Sequence, residues 1–92
     1  MPLLGGILLF INMLNLSLGN LKFEFIVEKP GMVTLSIIDI HGKVIAKVYE
    51  GMADASIKYT HEYDISELRS GIYFINLNTS NGNMKDKFVV IQ

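Results

Sequence analysis

The chain has 92 residues, of which 8 are Lys or Arg and 9 are Asp or Glu, so its formal net charge is −1, and half of its residues are hydrophobic. This length allows a single domain with one small core. The balanced charge gives no reason to expect a nucleic acid or an anionic membrane as a partner, and the lack of cysteine excludes disulfides, thiolate catalysis and cysteine-based metal sites.

Residues 1–20 form an apolar N-terminal segment that differs from the rest of the chain. No charged side chain precedes Lys22, and residues 3–11 form an apolar run if the two glycines are included. The run has the length of the hydrophobic region of a signal peptide, and Ser17 and Gly19 are spaced for cleavage after Gly19. No Lys or Arg precedes the run, however, and it is short for a membrane span.

The end of this segment supports a second interpretation. Leu14, Leu16 and Leu18 alternate with Asn15 and Ser17, which favours a strand or linker left over from a longer protein. Both interpretations stay open, and we expect contact with a membrane only if the segment is retained.

Residues 21–92 alternate between apolar and polar side chains, which is typical of half-buried strands. In the third strand the phase is ambiguous, because two sets of apolar residues compete, and a β-bulge would resolve it. Residues 50–56 are predicted to be a loop. The predicted strands cover residues 21–27, 32–38, 43–49, 57–64, 71–77 and 84–91.

Turn signals separate these strands. Residues 28–31, Glu-Lys-Pro-Gly, predict a turn in which Gly31 takes a positive φ. In the next turn, the Asp39 carboxylate is placed to cap the backbone, and Gly42 to take the left-handed conformation of a bulged loop. Asn81–Gly82 is the strongest hairpin signal in the chain.

The stretch that leads into the fifth strand predicts a tyrosine corner. It contains Leu68, Gly71 and Tyr73 in the pattern Leu-x-x-Gly-x-Tyr. The glycine permits a backbone angle that other residues avoid. The tyrosine ring is expected to face inward and its hydroxyl to bond to the backbone at residues 66–69.

Because no segment has a sustained helical period, these observations predict an all-β protein. The expected fold is an immunoglobulin-like antiparallel β-sandwich of about seven strands. We expect residues 1–20 to be the apolar segment and residues 21–92 to be the folded domain.

Three motifs in this order carry a family resemblance. Residues 31–43 have the pattern G-x-V-x-L-x-I-x-D-x-x-G-[RK]; Tyr63–Asp64 is followed by the Leu68 to Tyr73 motif; and residues 85–90 are a basic and then apolar strand. Together they resemble the C-terminal (type A) sorting domains of the type IX secretion system, over residues 21–92. The pattern is also similar to that of flagellar hook-capping immunoglobulin-like domains.

The resemblance implies a non-catalytic module that directs an exported protein of Bacteroidetes-type bacteria through the periplasm to the cell surface or the medium. The implied partners are the outer-membrane secretion machinery, which recognises the folded domain, and a sorting protease. The family often has an Asn-Pro segment, which is absent before Leu21, and no cargo precedes the domain. The sequence is therefore expected to be a fragment of a larger protein or a stand-alone relative.

The alternative function is a stand-alone adhesion or binding module on the bacterial cell surface. It would need an exposed aromatic platform, for which Phe74 and Tyr49 are the candidates. For the sorting function, we expect the machinery to recognise the closing hairpin and the last strand, because an edge strand offers its backbone groups and side chains to a partner. The candidate recognition residues are Asn81, Gly82, Lys85, Lys87, Phe88, Val89 and Val90.

The sequence contains no arrangement that predicts catalysis. His61 and His41 lack the spacing of metal ligands. Glu62 and Asp64 share an outward strand face, and exposure to solvent accounts for two carboxylates there without a role in acid–base catalysis. We therefore expect no enzyme activity, no cofactor, no small-molecule substrate and no nucleic acid.

Three apolar residues have outward phase in the predicted strands. They are Ile26, Ile38 and Phe74. Single exposed apolar residues are normal, but the three would form a patch for a partner if they lay on one sheet.

Overall fold

The structure, a computed structural model, describes residues 3–4, 7–12, 19–80 and 82–92. No helix occurs among these residues, and so none is long and apolar enough to cross a membrane. They form eight strands: β1 (Leu3–Leu4), β2 (Ile7–Asn12), β3 (Asn20–Val27), β4 (Gly31–Asp39), β5 (Val44–Ala53), β6 (Tyr59–Asp64), β7 (Gly71–Thr79) and β8 (Gly82–Val90).

The strands form two four-stranded sheets. The first sheet has the order β1-β2-β3-β6 and the second has the order β5-β4-β7-β8. Neighbouring strands are antiparallel in both. The predicted all-β antiparallel sandwich is therefore confirmed. The strand number of about seven is approximate, because β3 to β8 are six strands and the very short β1 joins β2 at the edge of the first sheet.

The core lies between the two sheets and is built mainly from alternate residues of four strands, with Ala53 of β5 and Ile65 added. On β3 every second side chain is buried, as the pattern predicts. Each fully buried Phe, Leu or Ile contributes roughly 1.5–3 kcal/mol of transfer free energy. The core side chains of these strands are Leu21, Phe23, Phe25, Val27, Val33, Leu35, Ile37, Tyr73, Ile75, Leu77, Met84, Phe88 and Val90.

The turn between β4 and β5 has the predicted chemistry. The Asp39 carboxylate accepts hydrogen bonds from the backbone N–H groups of His41 at 2.8 Å and Lys43 at 2.9 Å. Gly42 has a φ of 82°, in the left-handed region that favours glycine. The carboxylate and the glycine together fix the hairpin geometry.

The predicted bulge in the third strand of the alternating region is confirmed in β5. Leu35 pairs with Tyr49 but Ser36 pairs with Lys47, so Val48 is an extra residue. A second shift follows at Ile45. The bulges explain the ambiguous phase, because each one exchanges the inward and outward sets of side chains.

The predicted loop at residues 50–56 is wrong in its first half. Residues 50–53 continue β5, and Ala53 is fully buried. These residues pair with residues 31–34 of β4, so Gly51 lies inside the strand rather than in a turn. A β-carbon there would lie 2.9 Å from the Tyr49 hydroxyl oxygen, so the glycine makes room for the Tyr49 ring.

Two smaller predictions are also wrong. Gly31 is not among the glycines with positive φ, because it is already the first residue of β4. Ile57 was expected in the fourth strand, but β6 begins at Tyr59 and Ile57 is an exposed residue of the connection.

The N-terminal segment reaches the first sheet through β2. Residues 7–12 pair with residues 22–27 of β3 in antiparallel register. The alternation of Leu14, Leu16 and Leu18 falls outside the described residues, as does Ser17 of the expected cleavage site. The division of the chain at residue 20 stays a prediction.

Candidate recognition surface

The closing hairpin places β8 at an edge of the second sheet. Thr79 pairs with Gly82 across the turn, and its hydroxyl donates to the Gly82 carbonyl oxygen at 3.1 Å. β8 then pairs with β7 along its whole length, and in the described part of the chain no strand pairs with its other side. One side of the β8 backbone therefore has no strand hydrogen-bonded to it, although β1 and β2 of the first sheet lie near β8.

Five of the seven candidate recognition residues form an exposed group and a buried group in the structure. Lys85, Lys87 and Val89 are exposed on one side of β8. Phe88 and Val90 are buried in the core, so in the folded domain they hold β8 in place and are not exposed to a partner. Gly82 is half-buried at the start of the strand. Asn81 lies outside the described residues.

The tyrosine corner and the end of the chain meet beside this strand. The Tyr73 hydroxyl donates to the Arg69 carbonyl oxygen at 2.8 Å, as predicted. The Gln92 side-chain amide donates to the carbonyl oxygens of Ile65 and Leu68, both at 2.8 Å, and its backbone N–H donates to the Ser70 hydroxyl at 2.9 Å. This contact holds the far end of β8 to the corner, and no sequence signal pointed to it.

The exposed side of β8 is part of a larger surface, the outward side of the whole second sheet. Cross-strand pairing aligns Val44, Ile38, Phe74 and Lys87 in one row, and Lys47, Ser36, Asn76 and Lys85 in the next. We call this outward side the basic face. Its members are Met32, Thr34, Ser36, Ile38, Val44, Lys47, Glu50, Met52, Ile72, Phe74, Asn76, Asn78, Asn83, Lys85, Lys87 and Val89.

The basic face has an apolar end and a positive excess. At the apolar end, Val44 is 58% exposed, Ile72 is 45% exposed, and Val89, which pairs with Ile72, is 46% exposed. Among the described residues the face carries three lysines and one carboxylate, Glu50, which forms an ion pair with Lys47 at 3.1 Å. Lys85 and Lys87 have no ion pair in the described part of the chain, but the exposed Asp86 between them reduces the local positive excess.

A shallow groove adjoins the apolar end. It has a volume of about 370 Å³ and lies where the β4–β5 turn meets the start of β7. Its lining is mostly apolar, with Ile40 and Ile72 exposed beside it. The lining residues are Asp39, Ile40, His41, Gly71, Ile72 and Tyr73.

The three outward apolar residues do not form one patch. Ile26 lies on the first sheet, whereas Ile38 and Phe74 are cross-strand neighbours on the basic face. Ile38 is only 6% exposed although it lies outside the core, because it sits on a central strand between Val44 and Phe74.

The outward side of the first sheet carries the opposite charge balance. Glu24 lies 3.2 Å from the Lys58 ammonium and 4.0 Å from that of Lys22. Glu62 and Asp64 are exposed on the neighbouring β6. Among the described residues, three carboxylates face two lysines there, and the excess is negative.

An aromatic cluster fills the gap between β5 and β6. The His61 ring stacks on Tyr49 with the ring centres 4.5 Å apart, and on Phe25 at 6.2 Å. The Nε2 atom of His61 is buried and has no hydrogen-bond partner among the described residues. Burial lowers the pKa of His61, because desolvation disfavours the charged ring.

The two candidates for an aromatic platform lie apart. Tyr49 packs against the core, and its hydroxyl donates to the Met52 carbonyl oxygen at 2.8 Å. Phe74 is half-buried in the middle of the basic face. They belong to different surfaces of the molecule and present no common platform.

The carboxylates singled out in the sequence serve the backbone. Hydrogen bonds from Ser66 lower the pKa of Asp64, and the N–H groups of Lys43 and His41 lower that of Asp39. Within residues 19–80 and 82–92, no three His, Cys, Asp or Glu side chains are grouped to hold a metal ion. The arrangement provides turn caps and a charged surface.

Comparison with known protein families found one match. The family described as "Secretion system C-terminal sorting domain" matches residues 12–92, which is most of the chain. Comparisons with curated proteins and with solved structures found no match.

Proposed function

Since this chain belongs to the secretion system C-terminal sorting domain family, we propose that its folded domain is the export signal that the type IX machinery reads on β8. The family provides a C-terminal secretion signal and implies export to the cell surface or the medium and contact with secretion machinery. The finer proposal is that the domain passes through the periplasm and is recognised at the outer membrane, where a sorting protease then acts on it.

The observation that carries this proposal is that β8 has one set of buried side chains and one set of exposed side chains. Phe88 and Val90 fix the strand to the core, while Lys85, Lys87 and Val89 are displayed at an open sheet edge. A rigid strand with exposed side chains and unpaired backbone groups suits recognition by strand addition, since little order is lost on binding. An unfolded tail would have to be ordered first.

The proposal includes no catalysis by this chain. Sorting domains of this family are non-catalytic in general, and the carboxylates considered as acid–base candidates are engaged in backbone caps or exposed to solvent. We therefore propose that the chain acts only as a ligand of the export machinery.

The test is an export assay with a reporter. The 92-residue chain is fused to the C-terminus of a reporter with a cleavable signal peptide and produced in a bacterium that has the type IX system. We expect the reporter in the medium or on the surface. The double variant Lys85→Glu, Lys87→Glu should reduce export on the order of tenfold, as expected when charges that guide recognition are reversed.

The matched control is Lys29→Glu, Lys58→Glu, which changes the net charge equally at exposed positions away from β8. It should be exported like the natural sequence. Retention of the intact fusion in the periplasm would contradict the sorting function and favour the adhesion module instead.

A further inference from the structure

The basic face extends well beyond β8, to the far edge of the second sheet. We propose that this whole face docks an acidic polypeptide segment of the export machinery, with an apolar side chain of that segment in the groove beside Ile72. The inference rests on the proposed function, because it specifies the chemistry of the partner.

The lysines of the face favour an acidic partner. Lys47 on β5 and Lys85 on β8 lie at opposite ends of one cross-strand row, and Lys87 lies in the next row. Lys47 is paired with Glu50, and the exposed Asp86 lies between Lys85 and Lys87. The unpaired positive charge of the face therefore lies along β8, where an acidic segment would meet it.

The apolar end supplies contact area beside these charges. Ile72 and Val89 form one exposed cross-strand pair, and the groove opens next to them. Alternate residues of a strand are about 6.6 Å apart. A partner chain that runs from the groove alongside β8 would therefore place carboxylates near Lys87 and Lys85, two and four extended residues further on.

Two other occupants fit less well. A membrane surface usually requires clusters of four to eight basic residues, and this face has three lysines, one of them paired with Glu50. A second copy docked face to face would oppose lysines to lysines. An acidic segment has neither disadvantage.

The first test compares two double variants in the export assay. Val44→Asp, Lys47→Glu changes the basic face on β5, far from β8. Ile57→Asp, Lys58→Glu is the matched control, and it lies between β5 and β6. It also replaces one exposed aliphatic residue by Asp and one lysine by Glu, and it also removes one ion pair. We expect on the order of tenfold less export for the first variant and less than twofold for the control.

The second test identifies what touches the face. A photoreactive phenylalanine derivative replaces Phe74, or Ile57 as the control position, in the complete fusion, and the crosslinked peptide is sequenced by mass spectrometry. A peptide of the export machinery with more Asp and Glu than Lys and Arg, obtained from position 74 only, is the expected result.

The two hypotheses fail in different ways. If the intact fusion is exported but the variant at positions 44 and 47 is exported like its control, the docking surface is wrong and the sorting function stands. A crosslink from position 74 to lipid, to a second copy or to a neutral or basic peptide, or no crosslink, also overturns the docking surface. Retention of the intact fusion in the periplasm contradicts the sorting function itself.

Discussion

At the scale of single residues, one hydroxyl fixes the entry into the central strand β7. The Tyr73 ring packs on Phe88 with the ring centres 5.8 Å apart, and the hydroxyl reaches back to the Arg69 carbonyl oxygen. Gly71, with a φ of 158°, begins the strand two residues earlier. The corner therefore joins a buried ring to an exposed loop through one hydrogen bond.

Removing that hydroxyl should weaken the domain measurably. Tyr73→Phe keeps the ring and loses the bond, so we expect a loss on the order of 1 kcal/mol in the free energy of unfolding. Urea unfolding measures it. Tyr63→Phe is the control, because the Tyr63 hydroxyl has no hydrogen bond among the described residues. Equal midpoints for the Tyr73 variant and the natural chain would refute the role of the corner.

The buried ring of His61 predicts a pH dependence. Its pKa is lowered in the folded state, so as the pH falls below about 6.5 the unfolded chain takes up a proton that the folded chain does not. Stability due to this residue is therefore present above that pH and is lost as the pH falls towards the lowered pKa. Asp39 and Asp64 titrate in a more acidic range.

The comparison with His61→Phe isolates this effect, since phenylalanine keeps a ring but binds no proton. Urea midpoints measured at pH 8, 6.5 and 5 should fall more steeply for the natural chain than for the variant. Parallel decreases in the two proteins would show that His61 does not contribute.

At the scale of elements, β8 combines an open edge with protection against unwanted pairing. Met84, Phe88 and Val90 are buried, and Asp86 has the same inward phase but is exposed. Asp86 therefore places a charged side chain among the inward-facing positions of an edge strand, and it interrupts what would be a continuous apolar stripe. Natural sheets use this device against edge-to-edge association.

Replacing that carboxylate should promote self-association. Asp86→Val completes the apolar stripe, and we expect the mean mass of the chain in sedimentation at tens of micromolar to rise above that of the natural chain. The effect on folding stability should stay within about 1 kcal/mol, the span of β-propensity. Asp86→Asn, which keeps a polar group, should sediment like the natural chain. Identical sedimentation of Asp86→Val and the natural chain would count against the protective role.

At the scale of the whole molecule, the parts that sequence reasoning predicted are those with local causes. The cap by Asp39, the left-handed Gly42 and the Tyr73 corner each depend on residues close in sequence. The loop prediction for residues 50–53 failed because this stretch is held in β5 by its pairing with β4, where Gly51 makes room for the Tyr49 ring. Nothing local in the sequence indicates that pairing.

The docking surface proposed above could be predicted from the sequence only along β8, for the same reason. Lys47 and Lys85 become members of one row only through the pairing of four strands and the two bulges of β5. The Gln92 contacts span 22 to 27 residues. Such arrangements depend on strand order, which alternation alone does not specify.

Among the described residues, the two outward faces of the domain differ in the sign of their charge excess. Stacked sheets lie about 10 Å apart, whereas the Debye length at physiological ionic strength is about 8 Å. A partner at one face is therefore largely screened from the charges of the other. The near-zero net charge therefore conceals two surfaces of opposite sign, and a charged partner meets only one of them at a time.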